Sequence, residues 1–211
     1  MRRFAVQQNK LKRFLGGILL IVTAALAGCA TTDKNVRLDY QPTVNATGGK
    51  GDLYVAISAE KDPLAGRTDV KWVLGAIKDS DGNQTGNLLS SIAPKDLVAD
   101  AFIQELNAAG YKVRLVKSLP VDAVKGLDFT GITLKLDEAV DLVKLQAKGS
   151  LQVKVSVWKN GTLIKRLDYE DSSSNTAMRT DSTVLDKTLL DTVVTCTRRA
   201  VPDILAVLEN K

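Results

Sequence analysis

Residues 143–157 hold the most regular pattern in the chain. Val143, Leu145, Ala147, Gly149, Leu151, Val153, Val155 and Val157 occupy one phase of a period of two, and Lys144, Gln146, Lys148, Ser150, Gln152, Lys154 and Ser156 occupy the other. Successive strand side chains point to opposite faces, so this predicts one long strand, about 50 Å at ~3.3 Å per residue, with one face on a core and the other in water. Gly149 is the expected place for a bend or bulge. Asn160-Gly161 returns the chain, and the loop length decides which residues face inward. A two-residue loop would pair Val157 with Ile164 and leave Leu163, Leu167 and Tyr169 in water. A three-residue loop over Lys159, Asn160 and Gly161 pairs Val157 with Leu163, Val153 with Leu167 and Leu151 with Tyr169, and is expected because it buries the apolar set. Trp158, Lys154, Ile164 and Arg166 then lie together on the outer face.

The remaining elements are read from weaker periodicity. Leu53, Val55 and Ile57 alternate as a first strand, and residues 71–78 and 84–92 flank Ser80-Asp81-Gly82-Asn83 as a hairpin. Pro94 opens a helix whose Val98, Phe102, Leu106 and Ala109 share a face, and Gly110 is its stop. Val113 and Leu115 continue as a strand, and after a loop through Pro120 comes another over 129–138, with Ile132, Leu134 and Leu136 on one side. A polar segment, 171–183, leads to a last helix. There Leu185, Leu189, Val193, Cys196, Ala200, Ile204 and Val207 recur at helical spacing, Asp181 or Ser182 is the expected cap, and Pro202 is expected to kink or break the helix. The fold class is α+β: a two-layer sandwich with a mostly antiparallel sheet, a long central hairpin and two main helices on one face.

The first 28 residues change the picture. Residues 1–13 are cationic, 14–27 are apolar, and the segment ends in Leu26-Ala27-Gly28-Cys29, so the three regions of a secretory signal stand in order. Fourteen apolar positions fall short of the ~20 that cross a bilayer as a helix. Leu-Ala-Gly-Cys resembles the lipobox of bacterial lipoproteins. That resemblance implies a diacylglyceryl group on the thiol, cleavage before the cysteine and N-acylation of Cys29, a permanent anchor by the arithmetic of several buried acyl chains. Ala30 stands where an Asp would retain such a protein at the inner membrane, so sorting to the outer membrane, facing the periplasm, is implied. The expected organisation is a signal peptide over 1–28, a lipidated N-terminus and flexible tether over 29–50, and a periplasmic α+β domain over 51–211. The tether is rich in Thr, Gly and Asn, with a short docked strand allowed by the alternation of Val36, Leu38 and Tyr40.

Charge and composition then exclude chemistry. Of 29 Lys and Arg, five lie in residues 1–28, which hold no acid, so the rest carries 24 bases against 24 acids. A neutral body gives no electrostatic case for nucleic acid. No histidine occurs, which removes imidazole bases, His-dependent nucleophile systems and most zinc or copper sites. Ser58-Ala59-Glu60-Lys61 matches the S-x-x-K of penicillin-recognising enzymes, but their S-D-N and K-T-G partners are missing. Asp137, Glu138 and Asp141 read as a solvated turn, and Gly48-Gly49-Lys50-Gly51 lacks P-loop spacing. With Cys29 used as a thioether, Cys196 is an odd thiol, either buried or bridging to another molecule, and its place on the apolar stripe favours burial.

Together the lipobox, Leu88-Leu89-Ser90-Ser91 ending the hairpin, the helix closing in Phe102-Ile103-Gln104-Glu105-Leu106-Asn107-Ala108-Ala109-Gly110-Tyr111, the long strand and the last helix resemble the YajG family of bacterial outer-membrane lipoproteins, over residues 53–208. The resemblance implies a lipid-anchored periplasmic α+β domain and carries over no site residue except Cys29. The expected function is a non-enzymatic binding or assembly factor of the cell envelope, without cofactor or metal. Its partners are the membrane, through Cys29, and an envelope protein or a lipid or glycan. The possible partner surface is Trp158 with Lys154, Arg166 and Ile164. The alternative is a carrier holding a lipid or glycan between helices and sheet.

Overall fold

The computed structural model describes residues 32–57, 71–179, 181 and 183–209; the leader, Cys29, the Ser58-to-Lys61 match and Ser182 lie outside the described residues. Eight strands and two helices follow one another among them: β1 (Lys34–Asn35), β2 (Asp52–Ile57), β3 (Trp72–Lys78), β4 (Gln84–Ser90), α1 (Pro94–Ala108), β5 (Lys112–Val116), β6 (Lys125–Val140), β7 (Lys144–Lys159), β8 (Thr162–Met178) and α2 (Val184–Glu209).

The strands form one curled, mixed sheet, in which long antiparallel ladders are joined by short parallel ones. Antiparallel pairing holds for β3 with β4 and along the meander β6–β7–β8, whereas β1 with β4, β2 with β5, β2 with β6 and β3 with β6 are parallel. β7 takes one edge of β6 from end to end. β2 and β3 share the other edge, β2 meeting its start (Tyr54 opposite Gly126) and β3 its end (Ile77 opposite Glu138). Gly75 is required where β3 closes on β6: a Cβ there would stand 1.8 Å from the Leu136 carbonyl oxygen.

Both helices pack on one face. Phe102 of α1 meets Phe129 of β6 edge to face at 5.1 Å between ring centroids, and Leu53, Leu127, Leu151, Leu189 and Ile204 are fully buried around them. Gly149 makes no bulge, since β7 pairs evenly with both neighbours there. It gives room to α2, because a Cβ would meet Thr192 Oγ1 at 2.1 Å.

Four local expectations are corrected. The β7–β8 turn is the two-residue Asn160-Gly161, with φ of 51° and 72°, and Ile164 is an extra residue between the pairs Trp158–Leu163 and Val157–Lys165. This bulge, not a longer loop, turns Leu167 and Tyr169 inward opposite Val155 and Val153. β8 runs on to Met178 through the segment read as a polar connection. Its inward positions there, Asp171, Ser173 and Asn175, face the Thr188, Thr192 and Arg199 side of α2, so the strand shows no apolar alternation. Helix α2 runs unbroken through Pro202, and Thr183 rather than Asp181 accepts its first bond, from Lys187 N–H. Residues 33–50 are docked rather than loose. Val36 and Tyr40 are buried, and buried Glu105 of α1 accepts from Tyr40 OH at 2.6 Å and from Thr43 N–H at 2.7 Å.

Candidate functional site

The parallel neighbours β5, β2 and β6 force a feature that an antiparallel sheet would lack. The chain leaves β5 at Val116 and must cross the outer face of β2 to begin β6 at Lys125, alongside β2's other edge. Residues 117–124 make that crossing. Leu119 lies on Gly126, whose absent side chain admits it: a Cβ there would stand 3.0 Å from a Leu119 methyl. The Asn160-Gly161 turn holds the crossover from the other side, Asn160 N–H donating to Val124 O at 3.0 Å and Gly161 N–H to Ala123 O at 3.3 Å. A side chain at position 161 would meet Val121 O at 2.7 Å, so glycine serves both the left-handed turn and the clasp.

Beneath the crossover is a pocket of about 330 Å³, lined by Ala56, Leu119, Pro120, Val121 and Trp158, with Lys117 and Asp128 as its charged members. The Trp158 indole N–H is buried there without a hydrogen-bond partner. A buried unpaired donor of that kind costs about 1–3 kcal/mol. The lining of the pocket suits an apolar body, with Lys117 and Asp128 as the charged groups beside it.

Trp158, Lys154 and Arg166 do share the outer face: Trp158 and Lys154 stand in one phase of β7, and Arg166 lies opposite Ser156 in that same phase. Trp158 is half-buried under the crossover instead of standing open. Lys154 pairs with Asp168 at 3.7 Å and lays its stem over Gly131, and Ile164 is exposed at the bulge. The residues missed from sequence are those of the crossover. No pattern in the sequence marks them: Val121 and Val124 are exposed, and the half-buried Leu119 and buried Ala123 show no period.

The other candidates do not assemble. Glu138 is fully buried on the inward phase of β6, not in a solvated turn, and pairs with Lys34 at 2.5 Å, while Asp137 and Asp141 stay exposed. Cys196 is a buried free thiol, pushed up to about 12 by burial and then by the Asp171 charge. Between helices and sheet lie the buried core side chains named above.

No protein-family model matches the chain, and no curated protein does. Solved structures give distant likenesses. A Xanthomonas campestris protein described by the family model DUF330 has a TM-score of 0.46 at 13% identity, over 84% of this chain and 95% of its own. A minor lipoprotein from Acinetobacter baumannii has a TM-score of 0.35 at 13% identity, over 72% of this chain and 91% of its own. Rare lipoprotein B from Shewanella oneidensis has a TM-score of 0.27 at 13% identity, over 62% and 89%. At these values they are likenesses in outline and assign neither family nor role.

Proposed function

We propose that this chain is an envelope lipoprotein of YajG-like type, anchored through Cys29 in the outer membrane and facing the periplasm, which binds an envelope partner rather than catalysing a reaction. Leu26-Ala27-Gly28-Cys29 after a signal-like leader supports the anchor. The observation that carries the binding role is Trp158, a half-buried aromatic that lines a pocket which loop and turn hold open. Lys154, Arg166 and Ile164 flank it, so an acidic or aromatic side chain inserting beside Trp158 fits the surface. The pocket beneath the crossover lies on the outer face of the sheet, which favours a surface-bound partner over the carrier reading in which ligand lies between helices and sheet.

The anchor and the site are tested separately. Cys29→Ser is expected to abolish acyl labelling and leave an unprocessed precursor; labelling at the normal level would reject the anchor. A photocrosslinker at position 164 in intact envelopes is expected to give one defined adduct that Trp158→Ala removes, with none from position 172. The same adduct with and without the tryptophan would reject the site.

A further inference from the structure

The end of the sheet remote from Trp158 carries a second surface. The β6–β7 turn exposes Leu142 (86%) and Val143 (61%), and Met178 at the end of β8 is 69% exposed. They are gathered at one place, because Met178 lies opposite Lys144 and Arg179 N–H donates to Val143 O at 3.1 Å. Large apolar side chains stand bare at one tip, with Lys144, Arg179 and Asp141 as their charged neighbours, and have no counterpart among the described residues that covers them.

The course of the N-terminal chain says what does. β1 runs parallel to β4, away from this end, so Asp33 enters β1 from the side of the tip. Asp33 is fixed by Asn87, whose backbone and side-chain N–H groups both donate to its carboxylate, and Lys34 is fixed by Glu138, four residues before Leu142. Only three residues separate Cys29 from Asp33, four steps along the chain and a reach of at most about 14 Å when extended. The turn 141–143 lies a similar distance along β6 from Glu138, about 13 Å at ~3.3 Å per residue. An acylated Cys29 therefore holds the bilayer within reach of Leu142, Val143 and Met178, and it does so because residues 33–50 are docked and give no slack.

We propose that the tip formed by Leu142, Val143 and Met178 inserts into the phospholipid surface that holds the Cys29 acyl chains, with Lys144 and Arg179 at headgroup level. This rests on the lipoprotein reading and adds an orientation to it: β7 stands away from the membrane, and its Trp158 end is presented up to about 50 Å of strand into the periplasm. Interfacial apolar side chains sit about 5–10 Å into the headgroup and acyl boundary.

The test uses the full-length lipidated protein in phosphatidylethanolamine–phosphatidylglycerol vesicles containing nitroxide-labelled lipid. An environment-sensitive dye is placed at Leu142→Cys or, for comparison, at the equally exposed far-end position Val121→Cys. Buried Cys196 and acylated Cys29 leave the new thiol as the reactive one. Dye at 142 is expected to be quenched about threefold or more relative to dye at 121. Equal quenching at the two positions, in protein that carries acyl chains and floats with the vesicles, would overturn the tip contact and leave the lipoprotein reading standing. Protein that carries no acyl chain would overturn both.

Discussion

The strands β6, β7 and β8 share a long meander whose two ends are finished differently. At the 141–143 turn the hairpin closes on itself and leaves Leu142, Val143 and Met178 in solvent. At the Asn160-Gly161 turn two backbone hydrogen bonds clasp the 117–124 crossover, and Trp158 is half-covered. The difference comes from topology. Antiparallel neighbours need only a turn, whereas β5 and β6, parallel with β2 between them, need a connection over the face of the sheet, and that connection supplies the pocket's roof. One end is a surface left bare, and the other is a roofed pocket.

The comparison is broken most severely by loosening the bare end from the rest of the sheet. In Gly75→Ala the new methyl would stand 1.8 Å from the Leu136 carbonyl oxygen, and backbone cannot yield without parting β3 from β6. A loss of about 3 kcal/mol or more is expected in denaturant melts, at the upper end of overpacking effects. Hydrogen exchange should rise in β3 and β4 while the bonds of Asn160 and Gly161 keep their protection. Gly131→Ala is the control, since its methyl would meet only the Lys154 stem, at 3.7 Å.

The interior between the two ends is sharpened by pH. Burial, and then the nearby Asp171 charge, push Cys196 up to about 12, and burial with bonds to Glu105, Glu209 and Asp203 pushes Tyr40, Tyr111 and Tyr169 above the ordinary tyrosine value. The folded chain keeps these protons where the unfolded chain has released them. The stability they contribute is complete below the ordinary values and is lost as pH climbs above them, through about 9 to 12 for the thiol and from about 10 upward for the tyrosines. Each pH unit between the two thiol values costs about 1.4 kcal/mol, so roughly 2 kcal/mol is expected to be gone by pH 10.5 from Cys196 alone. Melting midpoints at pH 8 and 10.5 measure it, and Cys196→Ala should lessen the drop; an unchanged midpoint would mean the thiol is not buried in solution.

How much of this was legible follows from the same contrast. β7 was read nearly to its ends because its inward residues are all apolar or small and meet a uniform core. The hairpin β3–β4 and helix α1 with its Gly110 stop were read from local turn and cap chemistry, and Gly110 does take φ 110°. What failed was nonlocal. Parallel pairing leaves no mark within a strand of six residues such as β2, so the crossover could not be foreseen, and with it the cover over Trp158. The end of β8 was missed because its inward Asp171, Ser173 and Asn175 are matched to polar side chains of α2 rather than to oil. Docking of residues 33–50 depends on Glu105, a carboxylate on α1's buried face that pattern alone assigns to solvent, and no periodicity shows which backbone N–H groups will find it. The anchor motif around Cys29 is legible in sequence and lies outside what the fold can report.

The smallest effects compare the two ends directly, through one truncation at each. Trp158 is covered on one side by the crossover and bare on the other, so Trp158→Ala should fall between the ~0.5 kcal/mol of a surface change and the ~3–5 kcal/mol of a core aromatic, at about 2 kcal/mol. Part of the lost packing is offset, because the variant no longer buries an unpaired indole N–H. Leu142→Ser removes a side chain that is 86% exposed, so its stability should stay within about 0.5 kcal/mol of the parent. Urea melts of the two variants beside the parent decide it. A tryptophan truncation as silent as that of Leu142 would mean that the crossover does not cover Trp158 in solution. A Leu142→Ser loss near 2 kcal/mol would mean that the bare end is packed against another part of the chain, and it would then have no free apolar surface to offer a membrane.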